Sequence, residues 1–421
     1  MSGPRDQITA VVKRRALESG FDLVRITSAL EFSLDREAAL KRLGDGLMDG
    51  LPWYTEGRVR RGSDPERLLP GARSIISLGL SYLPNSENAR GDTGEASLRG
   101  KVARYALGKD YHRVIKDRMK AFVQAISEEL DASIDARWYV DDGPMLDRAA
   151  AARSGLGWFG KNTNILTPSH GSWVFLGQVV TSLDLTPDDS LAKTCGDCTL
   201  CLEACPTRAI VEPYVIDNPR CISHLTIENR GPIPIELRPR MEGWVFGCDI
   251  CQDVCPVNRK AIPAMTPIPL LGSPDQSPRS SGGGSVENNA GVQCGEGSAS
   301  IDLIEALDMS EEDFQRRFRG SPIKRAKLAG LQRNACVTLG NMGDPKATPA
   351  LLRALAHPEP LVRSHAAWAL GRMGGIDAKG GLDQALKVEN DPWVSQEITL
   401  ALDVINPGCP RPDAGGPFIS T

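Results

Sequence analysis

Apolar residues recur with two different periods along the first 190 positions, which predicts that helices and strands alternate there. A first helix is predicted to end at Gly20, and its apolar face consists of Ile8, Val11, Val12 and Ala16. The segment VIKDRMKAFVQAISEEL (114–130) has the same helical period. Shorter apolar runs predict strands in FDLVRIT (21–27), ARSIISLGLSYL (72–83), RWYVD (137–141) and SWVFLGQVV (172–180). We therefore predict an α/β domain over residues 1–190.

The C-terminal part of the chain is helical and repeats itself. GLQRNACVTLGNMG (330–343) aligns with LVRSHAAWALGRMG (361–374), and the Leu-Gly and Met-Gly pairs coincide. A helical unit that recurs at this spacing is typical of HEAT-like repeats, so we predict a HEAT-like domain over 301–421. The stretch before it, above all 271–300, is rich in Gly and Ser and predicts a flexible linker or insert over 263–300.

Composition limits the class of protein. The chain has 421 residues, of which 41% are hydrophobic and 24% charged, as in a soluble protein of two or three domains. No apolar run approaches the roughly 18 residues that cross a bilayer, and the N-terminus has no continuous apolar region of a signal peptide. We expect a cytoplasmic protein that does not contact membranes.

A local basic patch lies within this weakly acidic chain, whose formal net charge is −4. From 316 to 333 there is no Asp or Glu, and the cations are Arg316, Arg317, Arg319, Lys324, Arg325, Lys327 and Arg333. Such a run is either a solvated helix face or a surface that binds phosphates, where Lys and Arg release counterions.

Eleven cysteines are unlike a disulfide framework in a reducing cytosol, so metal binding is the better interpretation. Three of them stand alone and are expected to be small buried side chains or bystanders: Cys294, Cys336 and Cys409. The other eight lie between 195 and 255, which predicts a compact metal-binding module over 191–262.

The spacing of the eight cysteines is that of a ferredoxin with two clusters. CGDCTLCLEACP (195–206) follows the pattern C-x2-C-x2-C-x3-C-P, in which the fourth cysteine binds the neighbouring cluster. A second group before Pro256 lacks its first cysteine, because Val245 stands there, and Cys221 is the substitute. We predict one [4Fe–4S] cluster on Cys195, Cys198, Cys201 and Cys255, and another on Cys205, Cys221, Cys248 and Cys251. Two structural zinc sites are the alternative, although the triple spacing suits a cubane better.

The segment GLGWFG (155–160) matches G-x-G-x-x-G but lacks the context of a dinucleotide site. That motif requires a preceding strand and a helix that begins at the glycines. Here the helix DRAAAARSG (147–155) precedes the glycines and strands follow them. We expect these glycines to let the backbone pass close to a bulky, flat ligand.

Taken together, these features resemble the epoxyqueuosine reductase family. The resemblance rests on the eight cysteines and on ARYALGKDYH (103–112), YVDDGPMLDRAAAARSGLGWFGKN (139–162), CISHLTIE (221–228) and GSPIKRAKLAGLQRNACVTLGN (320–341). It implies an α+β multi-domain enzyme with a cobalamin in the α/β domain, a ferredoxin-like module with two [4Fe–4S] clusters, and a HEAT-like domain that helps to bind tRNA. The implied substrate is tRNA that carries epoxyqueuosine at the wobble position. The electron donor would be of low potential, of flavodoxin or ferredoxin type, and we expect a monomer.

The resemblance also implies roles for individual residues. Asp141, at the end of RWYVD, would be the proton donor, with a pKa raised by an apolar site beside the corrin. The cobalamin contacts would be Arg61, Arg104, Tyr105, Asp141, Lys161, Asn162 and Thr226. The tRNA contacts would be Lys324, Arg325, Lys327, Arg333 and Asn334. Asp110 and His112 form only part of a cobalt-ligating motif, since Ile115 replaces its glycine, so His112 is interpreted as a polar residue at a helix start.

Three alternatives remain open at the level of the sequence. A corrinoid reductive dehalogenase would share the cofactors but normally carries an export signal. A diferredoxin-type electron carrier fused to a scaffold would lack a corrinoid. A HEAT-type binding protein with zinc ribbons would lack iron and sulfide.

Overall fold

The computed structural model describes residues 3–83, 98–264, 292–295 and 298–406. The helices are α1 Pro4–Glu18, α2 Ser33–Gly44, α3 Glu56–Gly62, α4 Pro65–Leu68, α5 Tyr111–Glu129, α6 Asp147–Arg153, α7 Leu200–Ala204, α8 Ile222–Ile227, α9 Ile250–Asp253, α10 Leu303–Asp308, α11 Glu311–Arg317, α12 Leu328–Met342, α13 Thr348–Ala354, α14 Pro360–Met373, α15 Ile376–Val388 and α16 Pro392–Ile405. The strands are β1 Leu23–Ser28, β2 Ser74–Ser81, β3 Arg99–Val102, β4 Ala136–Tyr139, β5 Trp158–Phe159, β6 Ile165–Leu166, β7 Val174–Thr181, β8 Ile210–Glu212, β9 Val215–Ile216, β10 Trp244–Phe246, β11 Val292–Gly295 and β12 Ser298–Asp302. Within these ranges no helix is long and apolar enough to span a bilayer.

A four-stranded sheet organises the N-terminal domain in the order β1-β2-β7-β4. All its neighbouring strands pair antiparallel. Every residue of β2 is buried, because α1 and α5 cover one face of the sheet and α4 and α6 cover the other. The predicted alternation of helices and strands is therefore confirmed, and the four predicted strands form this sheet.

A second sheet, in the order β10-β3-β12-β11, joins segments that are far apart in sequence. β3 from the N-terminal part pairs parallel with β10 near the cysteines and antiparallel with β12. β12 also forms a hairpin with β11. The flexible linker predicted over 263–300 is therefore wrong at its C-terminal end, because 298–302 pair with β3 and 292–295 pair with β12. Residues 265–291 lie outside the described residues.

The predicted repeats form a stack of helices in which α12 packs on α14 and α14 on α16. The matching glycines explain how these helices approach each other. A Cβ at Gly340 would lie 2.9 Å from Ala369 Cα, and a Cβ at Gly371 would lie 2.8 Å from Ala401 Cα. Both contacts are closer than carbon atoms tolerate, so each glycine lets the next helix pack against backbone. The HEAT-like prediction is confirmed.

A buried ion pair fastens the end of the HEAT stack to the cysteine module. Arg238 donates to both carboxylate oxygens of Glu397 on α16, at 2.8 and 2.7 Å, and its Nε donates to Ile233 O. The two side chains are only 1% and 5% exposed. His365 Nε2 accepts a hydrogen bond from Ile233 N at 3.2 Å, so the 233–238 segment contacts two successive repeats.

The predicted surroundings of the GLGWFG segment, a helix before the glycines and strands after them, are confirmed. α6 ends at Arg153, Gly155 has a φ of 73°, and β5 and β6 follow. The expectation that these glycines make room for a flat ligand stays a prediction. A Cβ at Gly157 would lie 2.5 Å from Ile165 Cγ2, and one at Gly160 would lie 2.6 Å from Asn162 Oδ1, so the glycines pack against the chain itself.

Candidate functional site

The loop that follows β4 presents two adjacent carboxylates in different surroundings. Asp141 is exposed and has a φ of 57°, a left-handed conformation that is uncommon for a residue with a side chain. Asp142 forms an ion pair with Lys116, and its Oδ1 accepts from Val140 N at 3.3 Å. Asp142 is therefore held by Lys116 and Val140, whereas Asp141 has a different hydrogen-bond partner.

Asp141 accepts a hydrogen bond from a buried phenol. Tyr111 Oη donates to Asp141 Oδ2 at 3.0 Å, and the Tyr111 ring stacks on Phe175 with centroids 4.2 Å apart. Burial, followed by the charge of Asp141, raises the pKa of Tyr111 well above its ordinary value. Tyr111 therefore keeps its proton and remains a donor that orients the carboxylate. The sequence analysis did not identify Tyr111, since a Tyr at a helix start has many ordinary roles.

A third carboxyl group, Asp147, lies behind this loop at the first turn of α6. Burial, followed by the charge of Asp141, raises its pKa well above the ordinary value. Its Oδ1 is buried and has no hydrogen-bond partner among the described residues. The sequence analysis did not identify Asp147 as part of the site. An Asp at the start of a helix normally interacts with exposed backbone N–H groups, so the position of Asp147 in the sequence did not indicate a buried carboxyl group.

The HEAT-like part contributes a cation to the same site. Arg325 forms an ion pair with Glu228, and the backbone carbonyl groups of 325 and 326 accept from Arg230. Burial lowers the pKa of Arg325, but the charges of Glu228 and Asp141 outweigh this, and the net shift is upward. Arg325 is therefore close enough to Asp141 for their charges to interact.

The eight clustered cysteines lie near one another in the structure, and their sulfurs influence each other's pKa values. Burial, then the neighbouring sulfurs of Cys195, Cys255 and Cys198, raise the pKa of Cys201 to about 11. In the other predicted group, burial is the main cause that raises the pKa of Cys251 well above its usual range. Neighbouring sulfurs raise it further, in the order Cys248, Cys221, Cys201 and Cys205. The influence of Cys201 on Cys251 indicates that the two groups are adjacent.

Two of these thiols accept hydrogen bonds from backbone N–H donors, which favour the anionic form. Ala209 N donates to Cys205 Sγ at 3.3 Å, and the backbone N–H of Ile250 lowers the pKa of Cys248 against the larger effect of burial. Both arrangements fit a negatively charged iron–sulfur cluster, whose ligands must be thiolates. Within the described residues, no three His, Cys, Asp or Glu side chains lie close enough together to hold one metal ion.

Three of the predicted cobalamin contacts are instead bonded to the cluster module. Arg104 Nη1 donates to Asp249 at 3.2 Å and to Asp253 at 2.6 Å, and its guanidinium lies 4.7 Å from the Trp173 ring centroid. Buried Asn162 donates to Cys251 O at 3.1 Å. Thr226 is fully buried, and its hydroxyl accepts from Gly247 N.

This placement corrects the assignment of Asn162 and Thr226 as side-chain contacts to a cofactor. Both side chains are withdrawn from the surface and satisfy backbone groups beside Cys248 and Cys251. Lys161 donates to Gly196 O at 2.7 Å, within the first cysteine loop. Arg61 is exposed on α3, apart from this network. Arg104, Lys161 and Asn162 therefore connect the N-terminal domain to the cysteine module, whereas Thr226 joins α8 to Gly247 within that module.

Tyr105 connects the cysteine module to Asp141. It packs against an apolar cluster of that module, against which Cys248 also packs, and its ring centroid lies 6.2 Å from that of Tyr111. Burial raises its pKa strongly, and the charge of Asp141 adds to this. The cysteine module, the two phenols and the exposed carboxylate thus form one continuous region, which fits a redox cofactor placed between the module and a substrate.

The basic patch divides into outward and inward residues. Lys324, Arg325 and Lys327 lie on a turn before α12, and Arg325 and Lys327 are exposed. Arg333 and Asn334 are fully buried. Arg333 donates to the carbonyl groups of 225, 229 and 231, and Asn334 donates to those of 226 and 245. The prediction that Arg333 and Asn334 contact tRNA is therefore wrong, because both side chains are used to join α12 to α8 and β10.

The remaining sequence assignments have plain structural outcomes. His112 lies in the first turn of α5, as expected, and its Nδ1 is 2.8 Å from Asp110 Oδ1. Cys336 is fully buried within the HEAT core, as expected. Cys294 is part of β11, and Cys409 lies outside the described residues.

Family models match three parts of the chain. Residues 62–142 match epoxyqueuosine reductase QueG, residues 194–258 match a 4Fe-4S double cluster binding domain, and residues 326–403 match HEAT repeats. The double-cluster model spans all eight clustered cysteines, which favours iron–sulfur clusters over the zinc alternative.

Similar proteins cover most of the chain. An epoxyqueuosine reductase of Cellulophaga algicola is 37% identical over 78% of this chain and 97% of its own length. That of Pseudomonas aeruginosa is 39% identical over 86% and 94%. A solved epoxyqueuosine reductase with an epoxyqueuosine-modified tRNA-Tyr stem loop is 29% identical, with a TM-score of 0.83 over 95% of this chain and 99% of that one. The enzyme from Streptococcus thermophilus is 26% identical, with a TM-score of 0.78 over 94% and 98%.

Proposed function

Because this oxidoreductase belongs to the epoxyqueuosine reductase family, we propose that it reduces epoxyqueuosine to queuosine at the wobble position of tRNA. The observation that carries this proposal is the continuous region from the cysteine groups through Tyr105 and Tyr111 to the exposed Asp141. A separate electron carrier would not need such a region, and a zinc-ribbon scaffold would not need cluster ligands.

The reaction removes one oxygen atom and needs a proton source. An epoxide, two electrons and two protons give an alkene and one water molecule. Negative charge develops on the oxygen as the ring opens, so an acid at that point lowers the barrier. Asp141 is the carboxyl group exposed for this role, and the hydroxyl of Tyr111 holds its Oδ2. The carboxyl group of Asp147 lies behind the same loop. Because its pKa is raised, it favours its protonated form, and we assign it as the source of the second proton.

Two kinds of cofactor complete the proposal. When bound, cobalamin supplies a strongly reducing cobalt centre and the two [4Fe–4S] clusters supply electrons one at a time. We assign the first cluster to Cys195, Cys198, Cys201 and Cys255, and the second to Cys205, Cys221, Cys248 and Cys251. Tyr105 and Asp141 would face the cobalamin. Arg104 and Asn162 would hold residues 249–253 in place beside these two cobalamin-facing residues.

Loss of one outer ligand should remove one cluster selectively. In Cys198→Ala we expect iron and sulfide to fall from about eight of each per chain towards about four, since the second group keeps all its ligands. The measurement is iron and sulfide analysis of anaerobically purified protein. Cys336→Ala, which alters a cysteine outside both groups, should retain about eight iron ions. Equal iron content in Cys198→Ala and wild type would exclude Cys198 as a ligand.

The turn before α12 is the part of the basic patch that we propose contacts tRNA phosphates. Lys327 has φ 62° and ψ 162°, a conformation that normally requires glycine and costs about 1–3 kcal/mol. Strain of this kind persists where neighbouring contacts enforce it, and here the Arg230 guanidinium holds the carbonyl groups of the two preceding residues. The strained turn carries Lys324 and Lys327 on either side of Arg325, which interacts with the charge of Asp141.

The salt dependence of tRNA binding tests this surface. The double variant Lys324→Ala/Lys327→Ala should bind tRNA more weakly. Its slope of log K against log salt should be smaller by about 0.7–0.9 for each phosphate group that the variant no longer neutralises. The matched control is Lys346→Ala/Lys387→Ala, which removes the same charge from exposed positions elsewhere in the HEAT stack. Identical slopes for the two double variants would exclude the turn from the interface.

The proposed activity itself is tested by anaerobic turnover. The cofactor-loaded protein is incubated with tRNA carrying epoxyqueuosine and a low-potential reductant, and the nucleosides are then analysed by mass. We expect a product lighter by one oxygen atom. If protein with both clusters and cobalamin leaves epoxyqueuosine unchanged, the proposed function is wrong.

A further inference from the structure

Trp53 is an exposed aromatic side chain whose role the reaction at Asp141 does not explain. It is 40% exposed, and no other aromatic side chain within the described part of the chain is exposed to this degree. Its ring is nevertheless fixed from two sides. The Arg58 guanidinium carbon lies 4.8 Å from its centroid, and Tyr54 packs edge-on at 5.9 Å. A flat ring that is held in place and open on its surface can stack another flat ring.

This ring is tied directly to the loop that carries Asp141. Arg58, which supports Trp53, also donates to Gly143 O, two residues after Asp141. α3 rests on the same loop, since a Cβ at Gly62 would lie 1.6 Å from Pro144 O. Two residues of chain span at most about 7 Å. Trp53 therefore lies beside the loop that carries Asp141. A nucleotide that adjoins one bound at Asp141 can reach its ring.

The charges around Trp53 match a nucleic acid. α3 carries three arginines, of which Arg60 is paired with Glu56. Arg58 Nη2 donates to Gly143 O, and Arg61 is exposed. Of the carboxylates on the nearby loop, Asp142 is paired with Lys116. The surface beside the ring thus combines an aromatic face with positive charge, as in proteins that bind unpaired bases.

We propose that Trp53, supported by Arg58, is a stacking platform for the unpaired base that adjoins the modified base in the tRNA. This proposal rests on the proposed function, because it takes the epoxyqueuosine base to be at Asp141. The N-terminal domain would then contribute to substrate selectivity. The HEAT-side lysines would hold phosphates, whereas Trp53 would require that the base belong to a single-stranded loop.

The test compares Trp53→Ala with Trp53→Phe in the cofactor-loaded enzyme. For an anticodon stem loop carrying epoxyqueuosine, Trp53→Ala should raise Kd and KM by roughly 5- to 150-fold, the usual effect of losing one aromatic stack. Its kcat should change less than twofold, and Trp53→Phe should recover most of the affinity. With the free epoxyqueuosine nucleoside, wild type and Trp53→Ala should have equal kcat/KM. Leu17→Ala, which removes an exposed apolar side chain on α1, should leave all values unchanged.

Abasic substrates identify the stacked partner. In a stem loop that lacks the base on one side of the modified nucleotide, wild type should lose affinity as Trp53→Ala does, and the two losses should not add. Additive losses on both sides would overturn the proposal, as would an unchanged Kd in folded, iron-replete Trp53→Ala. An equal loss of kcat/KM with the free nucleoside would also overturn it. In each of these cases wild-type turnover of the intact tRNA leaves the proposed function standing, whereas absence of that turnover refutes the function itself.

Discussion

Replacing Asp141 by Asn should lower kcat for epoxyqueuosine reduction by about 100- to 10,000-fold, the usual contribution of a positioned general acid. The amide keeps the shape of the side chain and can still accept a hydrogen bond from Tyr111, but it cannot deliver a proton to the departing oxygen. Binding should be little affected, so KM for tRNA and the iron content should stay close to wild type. Single-turnover kinetics under anaerobic conditions measure the step directly.

Two matched variants make this result specific. Asp142→Asn alters the adjacent carboxylate, which is paired with Lys116, and should reduce kcat far less than Asp141→Asn does. Asp147→Asn removes the carboxyl group whose pKa is raised. If Asp147→Asn were inactive while Asp141→Asn retained full activity, the proton donor would be Asp147, and the role proposed for Asp141 would be wrong.

Replacing Glu397 by Ala should lower the free energy of unfolding by about 3–5 kcal/mol. The substitution leaves the Arg238 guanidinium buried without its carboxylate, and an uncompensated charge in the interior is costly. Because this pair joins α16 to the segment before β10, the loss should appear first as loosening of the last repeats. Urea unfolding followed by circular dichroism gives the change in stability, and hydrogen exchange locates it.

A surface pair in the same domain provides the control. Arg353 and Asp308 are bonded at 2.7 Å, but their side chains are 56% and 49% exposed. Asp308→Ala should therefore cost no more than about 1 kcal/mol. If Glu397→Ala and Asp308→Ala had equally small effects, burial would not be what gives the Arg238–Glu397 pair its importance.

The partition of the cysteines stays a prediction of the spacing, which assigned Cys255 to the first group and Cys205 to the second, against their order in the chain. In the structure Cys201 is influenced by Cys195, Cys255 and Cys198, whereas Cys251 is influenced by Cys201 as well as by three members of its own group. Short spacings fix which sulfurs can reach a common centre, because a few residues of chain leave little freedom. Secondary structure was predictable for a similar reason, since periods of apolar residues reflect which face of each element is buried.

Residue type could not distinguish a surface cation from a buried one. Arg333 lies in the same basic run as Lys327, yet Arg333 is buried against backbone carbonyl groups of α8 and the following turn, whereas Lys327 is exposed on a strained turn. Thr226 and Asn162 likewise belong to segments that resemble a cofactor site, but both satisfy backbone groups beside the cysteine loops. In each case the partner is distant in sequence.

The sequence by itself determined the order of helices and strands, the repeat of the C-terminal domain and the spacing of the clustered cysteines, because each depends on neighbours a few positions away. The tertiary structure alone decided which charges are buried. It also decided that Tyr111, Asp147 and Arg325 surround Asp141, and that β3 joins segments about 145 and 200 residues further along the chain. Burial and electrostatic coupling depend on distance in space, and long-range packing sets that distance independently of any local pattern.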